Sequence, residues 1–345
     1  MKGIQQDRLE AYFAENVEGS APPLRFSPIT GGHSNLTYLV EDANDRKMVL
    51  RRPPTGAVLA TAHDMAREHR ILTAVAKADV PVPKTLALCE EEAVNDAPFY
   101  VMDYVEGDVL TSASQTAERV PETQRVALGT HIIEVLAHLH QLEPNDIGLG
   151  DLGRREAYLA RQLKRWRTQW EKSKTRELPI MDEAHAALEA KMPEQKGSAI
   201  VHGDYRIGNF LSRGTEGRIA AVLDWELCTL GDPLADVGYL MNDWNGPDDS
   251  RPSASGTGES AVSCGGFPDR EKMLARYEEL TGTSTKNVDY YRAFQYWRLA
   301  AIVEGVLSRY KKGVMGDAGN TDRFQAQVDR LAEAAAELAC SDSLG

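Results

Sequence analysis

The segment Ile200-Val201-His202-Gly203-Asp204-Tyr205-Arg206-Ile207-Gly208-Asn209-Phe210-Leu211 runs from an apolar approach through a polar turn to an apolar exit. Asp204 and Asn209 stand five residues apart in that turn. One loop can then direct a carboxylate toward a hydroxyl nucleophile and a carboxamide oxygen toward a divalent cation. The next apolar run, Val222-Leu223-Asp224-Trp225-Glu226, delivers Asp224 to the end of a buried strand. A carboxylate there is costly unless it meets a metal or a strong donor, and Mg²⁺ is the expected partner. His202 is expected to brace the loop by hydrogen bonds, because Asp204 is the nearer acceptor for a hydroxyl proton.

Upstream, residues 24–52 alternate β-branched and aromatic residues with polar ones, the pattern of a small antiparallel sheet. Gly31-Gly32 breaks the run once, Asp42-Ala43-Asn44-Asp45 breaks it again, and Pro53-Pro54 ends a third strand from Lys47 to Arg52. Residues 61–77 have a helical period, closed by Pro81-Val82-Pro83; Thr85 to Leu88 and Pro98 to Val105 follow as strands. On a helix starting near Asp64, the residues Met65, Glu68, Leu72 and Val75 share one face, so Glu68 points inward and needs a cation. Arg51 is the expected partner, and a solvated pair with a neighbouring Arg is the alternative. Beyond Gly107 the pattern is almost all helical, apart from a short strand-turn-strand between Ala199 and Asp224. The expected organisation is α+β, with a small lobe over residues 1–104 and a mainly helical lobe over residues 105–345.

His202, Asp204, Asn209 and Asp224 have the order and loop-strand context of the H-R-D-x-x-x-x-N and D-F-G elements of protein kinases. Here Gly203 replaces the Arg, and Trp225-Glu226 replaces the Phe-Gly. With those substitutions the segment resembles the aminoglycoside phosphotransferase family, whose members share a protein-kinase-like two-lobed fold and phosphorylate hydroxyls of small molecules. Gly231-Asp232-Pro233-Leu234-Ala235-Asp236 matches that family's G-D-P-x-x-D pattern; Asp232 is expected to cap a helix and Asp236 to brace the catalytic loop. The resemblance implies ATP or GTP with Mg²⁺ between the lobes, Asp204 as the catalytic residue, and Asn209 and Asp224 as metal ligands. It also implies a turn over the phosphates. Gly31, Gly32, His33 and Ser34 are the candidates, their small size admitting phosphates to backbone N–H groups, although an ordinary hairpin turn has the same composition. Where the family usually has Lys, this chain has Arg51, which binds oxygens in pairs; Arg52 or Lys47 takes that place if the strand slips. Residues 99–107 resemble a nucleotide hinge in which the backbone from Met102 to Tyr104 reads the purine edge, with a plain linker as the alternative.

With 345 residues, 42% hydrophobic and 26% charged, the chain can bury one large core or two smaller ones. A formal charge of −13 argues against a general grip on nucleic acid or an acidic membrane. No stretch approaches the roughly 18 apolar residues of a membrane span, and MKGIQQDRLEAYFAEN has charges where a secretion signal is apolar, so a cytoplasmic protein is expected. Cys89, Cys228, Cys264 and Cys340 are widely spaced and read as reduced thiols. Residues 245–268, rich in Gly, Ser, Pro and Asp, read as a mobile loop and not as a packed element.

Residues 154–176 stand out as a basic helix: Arg154, Arg155, Arg161, Lys164, Arg165, Arg167, Lys172, Lys174 and Arg176 are opposed only by Glu156 and Glu171. That charge suits an anionic acceptor better than a polycationic aminoglycoside; the alternative is a solvated basic face over a core stripe of Leu159, Leu163, Trp166 and Trp170. Residues 158–166, with the Leu50-Arg51-Arg52-Pro53-Pro54 strand end, are similar to the kinase-like domain at the N-terminus of certain acyl-CoA dehydrogenase family members, a resemblance over most of residues 25–311. Those domains are associated with phosphorylating hydroxyacyl-CoA compounds, which implies a small-molecule, CoA-linked acceptor. Two rival readings are a catalytically inactive binding module and a hydrolase using His202, Asp204 and Asp224, with His33 or His140, on a transition metal.

Overall fold

The computed structural model describes residues 1–29, 35–55, 64–245, 249–254, 259–313 and 321–341. Helix α1 (Gln6–Asn16) leads into strands β1 (Arg25–Pro28), β2 (Leu36–Glu41) and β3 (Lys47–Arg52). Helix α2 (Met65–Ala76), β4 (Thr85–Cys89), the single turn α3 (Glu92–Asn95) and β5 (Phe99–Asp103) follow. The strands form one antiparallel sheet in the order β1-β2-β3-β5-β4, with Val49 opposite Met102. Asp42 shapes the β2–β3 turn by accepting from the Asn44 and Arg46 amides, both at 2.9 Å.

Side chains alternate across a strand, so β3 and β5 serve two cores at once. Met48, Leu50, Phe99 and Val101 pack with Leu9, Phe13 and Phe26 in a closed core that includes α1. Val49, Tyr100 and Met102 face the other way and join Ile71, Leu72 and Val75 of α2 in a core that continues through the helical part of the molecule. The sheet ends at Asp103, but the apolar interior does not divide there.

Helices α4 (Ala113–Arg119), α5 (Glu122–Gln141), α6 (Tyr158–Ser173) and α7 (Pro179–Ala190) precede β6 (Ala199–Val201), β7 (Phe210–Arg213), β8 (Arg218–Val222) and β9 (Thr229–Gly231). Helices α8 (Leu234–Met241), α9 (Arg270–Thr281), α10 (Val288–Lys311) and α11 (Asp322–Cys340) complete the lobe. The short strands form two ribbons, β7 with β8 and β6 with β9. Helix α6 is shorter than its basic run, because Ala157 adopts a left-handed φ of 50° and begins the helix only after residue 157.

The expectation of a loose loop over residues 245–268 is corrected where the chain is described. Asp249 accepts from Arg251 at 2.7 Å and from Arg270 at 3.1 Å, and lies 3.3 Å from Arg292. Ala254 is fully buried, and Ala261–Cys264 forms a helical turn. Buried ion pairs hold this segment, and hydropathy does not register them. The four cysteines are free, and no described helix is long and apolar enough to cross a membrane.

Candidate active site

The loop between β6 and β7 is held by backbone bonds to one buried carboxylate. Asp236, in the first turn of α8, accepts from the His202 amide at 2.6 Å and the Gly203 amide at 2.9 Å. Gly203 takes a φ of +83°, and a Cβ there would come within 2.8 Å of the Leu227 carbonyl oxygen. The His202 ring is fully buried; its Nε2 lies 3.0 Å from the Leu223 oxygen, and its Nδ1 accepts from the Asp204 amide at 3.2 Å. These bonds place the ring proton on Nε2 and make His202 the brace that the sequence suggests. Asp232 Oδ1 accepts from the Leu234 amide at 3.1 Å, but the N-cap of α8 is Pro233, so Asp232 stands one residue before the capping position expected of it.

Asn209 donates through Nδ2 to the Asp204 carbonyl at 2.9 Å and to Asp204 Oδ2 at 2.6 Å. Arg206 Nε stands 3.6 Å from Asp204 Oδ1. The buried Tyr239 hydroxyl also meets Asp204; burial first, and then the Asp204 charge, hold that phenol far above its usual range. The Leu223 amide donates to the Asn209 carbonyl at 2.8 Å, which brings Asp224 to the Asn209 end of the β7–β8 hairpin. Asp224 itself sits at a left-handed φ of 67°.

Arg51 reaches this end from the sheet. Its Nη2 lies 2.7 Å from Asp224 Oδ1 and 3.8 Å from Glu226 Oε2, and its Nε lies 3.3 Å from Glu68 Oε1. Burial raises the Glu68 carboxyl, and Arg51 opposes that rise. Arg52 faces the other side of the sheet, where it donates to the Asn95 carbonyl at 3.0 Å, and the Lys47 ammonium lies 5.6 Å from the centre of the Tyr104 ring. Of the three cations considered from the sequence, Arg51 alone meets Asp224.

Gly31, Gly32, His33 and Ser34 lie outside the described residues. Around the expected hinge, several amides are engaged within the sheet. Met102 is paired between Val49 and Thr85, and the amides of Asp103 and Tyr104 donate to Lys84 at 2.8 Å and Lys47 at 3.4 Å, so the sheet already uses them. The Val105 and Glu106 amides carry no hydrogen bond among the described residues.

The basic helix resolves into two parts. Leu159, Leu163 and Trp170 are core, as the bland alternative has it, and Arg167, Lys174 and Arg176 pair with Glu171, Glu177 and Asp329. Arg165 has no carboxylate partner among the described residues and lines a cavity with Arg67 and Arg298. The last two were not evident from the sequence: Arg298 is one of several cations on the largely buried α10, and no spacing or motif sets it apart from Arg292. Among the described residues no three His, Cys, Asp or Glu side chains gather as a metal site, and both ring nitrogens of His202 are engaged. Among the described residues, which leave out His33, the ligand set of the hydrolase reading is not assembled.

A family model described as the phosphotransferase enzyme family matches residues 25–273. The chain belongs to that family. It is similar to a Ralstonia eutropha JMP134 protein provisionally assigned as an aminoglycoside phosphotransferase, with 34% identity and a TM-score of 0.81 over 97% of this chain and 98% of that one. The GDP complex of aminoglycoside 2'-phosphotransferase-IIIa shares the fold at a TM-score of 0.62 and 15% identity, covering 97% of this chain and 99% of that one. Acyl-CoA dehydrogenase family member 10 of Mus musculus is 35% identical over 97% of this chain and 31% of its own length. Family member 11 of Gallus gallus is 33% identical over 97% of this chain and 43% of its own length. The chain thus spans less than half of these curated relatives. Membership makes it a phosphotransferase-family protein of kinase-like fold, with a small antiparallel sheet beside a helical lobe.

Proposed function

We propose that the protein transfers the γ-phosphoryl group of ATP, or of GTP, to a hydroxyl of a small-molecule acceptor, and that the acceptor is a CoA-linked hydroxyacyl compound. The observation that carries the reading is the Asn209 carboxamide donating to Asp204 Oδ2 at 2.6 Å, at the hairpin end where Asp224 also stands. That bond uses the amide nitrogen and leaves Oδ1 for a cation, and a carboxamide oxygen beside a carboxylate suits the hard ion Mg²⁺. Asn209 and Asp224 would hold it, and bound Mg²⁺ supplies neutralisation of phosphate charge. Asp204 orients the acceptor hydroxyl and takes its proton as the new O–P bond forms and the bond from the γ-phosphorus to the β–γ bridging oxygen breaks, releasing the nucleoside diphosphate. Arg51, fixed by Glu68, turns its fork to the phosphates. The Val105 and Glu106 amides, which carry no hydrogen bond among the described residues, are the part of the connector open to a purine edge.

Retention of Asp204, Asn209 and Asp224 in one connected arrangement supports catalysis over an inactive binding module. The CoA-linked acceptor is supported by the likeness to the acyl-CoA dehydrogenase family members and by Arg165, which has no carboxylate partner among the described residues. Incubation with ATP and Mg²⁺ separates the acceptors: phosphorylation of a 4-hydroxyacyl-CoA is expected, and transfer to kanamycin alone would refute the acceptor assignment.

A further inference from the structure

Beside the catalytic loop lies a cavity of about 210 Å³ whose lining includes Arg67, Arg165, Trp166, Gly203, Glu226 and Arg298. Arg298 is 6% exposed. It donates through Nη1 to Gln295 Oε1 and through Nη2 to the Gly203 carbonyl, both at 2.8 Å, and pairs with no carboxylate among the described residues. A guanidinium withdrawn from water without a counter-charge is unfavourable unless something else supplies one.

The second cation sharpens the point. The guanidinium carbons of Arg165 and Arg298 lie 5.2 and 5.4 Å from the centre of the Trp166 ring, so two cations share one indole. Arg165 is exposed by total area, yet its guanidinium pKa is lowered, by desolvation first and then by Arg298. Glu226 is the cavity's one acidic lining residue, and Arg51 stands 3.8 Å from it. Arg67 donates to the Cys228 carbonyl, and it too has no carboxylate partner among the described residues. Arg298 also lies 5.9 Å from the Tyr239 ring, whose hydroxyl meets Asp204. The cationic wall and the proposed base are therefore one aromatic ring apart.

We infer that Arg165 and Arg298, braced on Trp166, form a subsite for an oxyanion carried by the acceptor, a phosphate or a carboxylate, and so determine acceptor specificity. Two guanidinium forks with free N–H groups match the paired oxygens of either anion. Because Arg298 is bonded to Gly203, the residue before Asp204, an anion held there sets the distance from the acceptor's charged group to its reacting hydroxyl. The inference rests on the phosphotransferase reading, since the ligand is taken to be the acceptor.

The test is calorimetric titration of inorganic phosphate, and separately of acetate, into the full chain saturated with ADP and Mg²⁺. It compares wild type with Arg165→Gln, a substitution at an exposed position. At least one anion is expected to bind wild type and to lose tenfold or more of its affinity in the variant. Tighter phosphate binding points to a phosphate-bearing acceptor, and tighter acetate binding to a carboxylate. No binding by either anion overturns the inference. So does phosphate binding that Arg165→Gln leaves unchanged, the result a phosphate beside ADP in the nucleotide site would give. Turnover is not needed for this readout, so Arg165-dependent anion binding without transfer to any acceptor would refute the phosphotransferase reading and leave the subsite standing.

Discussion

Glu68 shows how much depends on one cation. Its side chain is 4% exposed, and Arg51 is its ion-pair partner among the described residues. Removing one member of such a pair leaves a buried charge and costs about 3–5 kcal/mol. Arg51→Met is expected to lose about that much unfolding free energy in urea, and Arg51→Met combined with Glu68→Gln to regain most of it. If the double variant is as unstable as the single one, the pair is not what the substitution broke. On the proposed mechanism Asp204 takes the acceptor's proton. Asp204→Asn keeps an oxygen for the Asn209 amide but cannot take a proton, so kcat is expected to fall by roughly 10² to 10⁴ with nucleotide affinity spared. Unchanged kcat would remove Asp204 from the mechanism. Glu68 and Asp204 were legible in the sequence because short-range patterns expose them, a helical face in one case and a loop spacing in the other. Arg298 was not, because its meaning comes from a bond to Gly203 across 95 residues.

Among the elements, the loop between β6 and β7 depends most on its backbone. Gly203 combines a positive φ with a carbonyl 2.8 Å from where a Cβ would sit, and the clash is with backbone that cannot swing away. Gly203→Ala is expected to cost roughly 1–3 kcal/mol and to lower kcat with it, because the Gly203 amide and carbonyl anchor Asp236 and Arg298. A crystal structure of the variant with both bonds intact and full activity would contradict this. The G-D-P-x-x-D pattern made Asp236 readable as the loop's brace. Strand β9 escaped notice because three residues, Thr229–Gly231, carry no periodicity and owe their extended form to pairing with β6. The start of α6 was misplaced for a related reason: side-chain charge ran on through Arg154, while the backbone at Ala157 set the boundary.

Across the whole molecule, the sheet and the helical lobe share an interior, and polar groups buried within it make stability depend on pH. Asp243 is the clearest case. It is 2% exposed and accepts from the Ile207 amide of the catalytic segment and the Ala254 amide of the segment after α8, both at 3.1 Å. Burial pushes its carboxyl up from 3.8 to about 6, with the two amides and Arg206 opposing and Asp204 adding to the rise. Below its ordinary value the folded and unfolded chains both hold this proton. Between about 4 and about 6 the unfolded chain releases it while the folded chain retains it, so the Asp243 contribution to stability falls as pH rises. Above about 6 both are ionised and the loss is constant, at about 3 kcal/mol for a shift of about two pH units. Asp243→Asn keeps an acceptor oxygen for the amides and has nothing to titrate. The unfolding free energy of wild type minus that of the variant is therefore expected to decline by about 3 kcal/mol between about pH 3 and pH 7, measured by urea denaturation at each pH. A difference that stays flat across that range would show that Asp243 titrates alike in both states, and that burial between the catalytic segment and its neighbour does not perturb it.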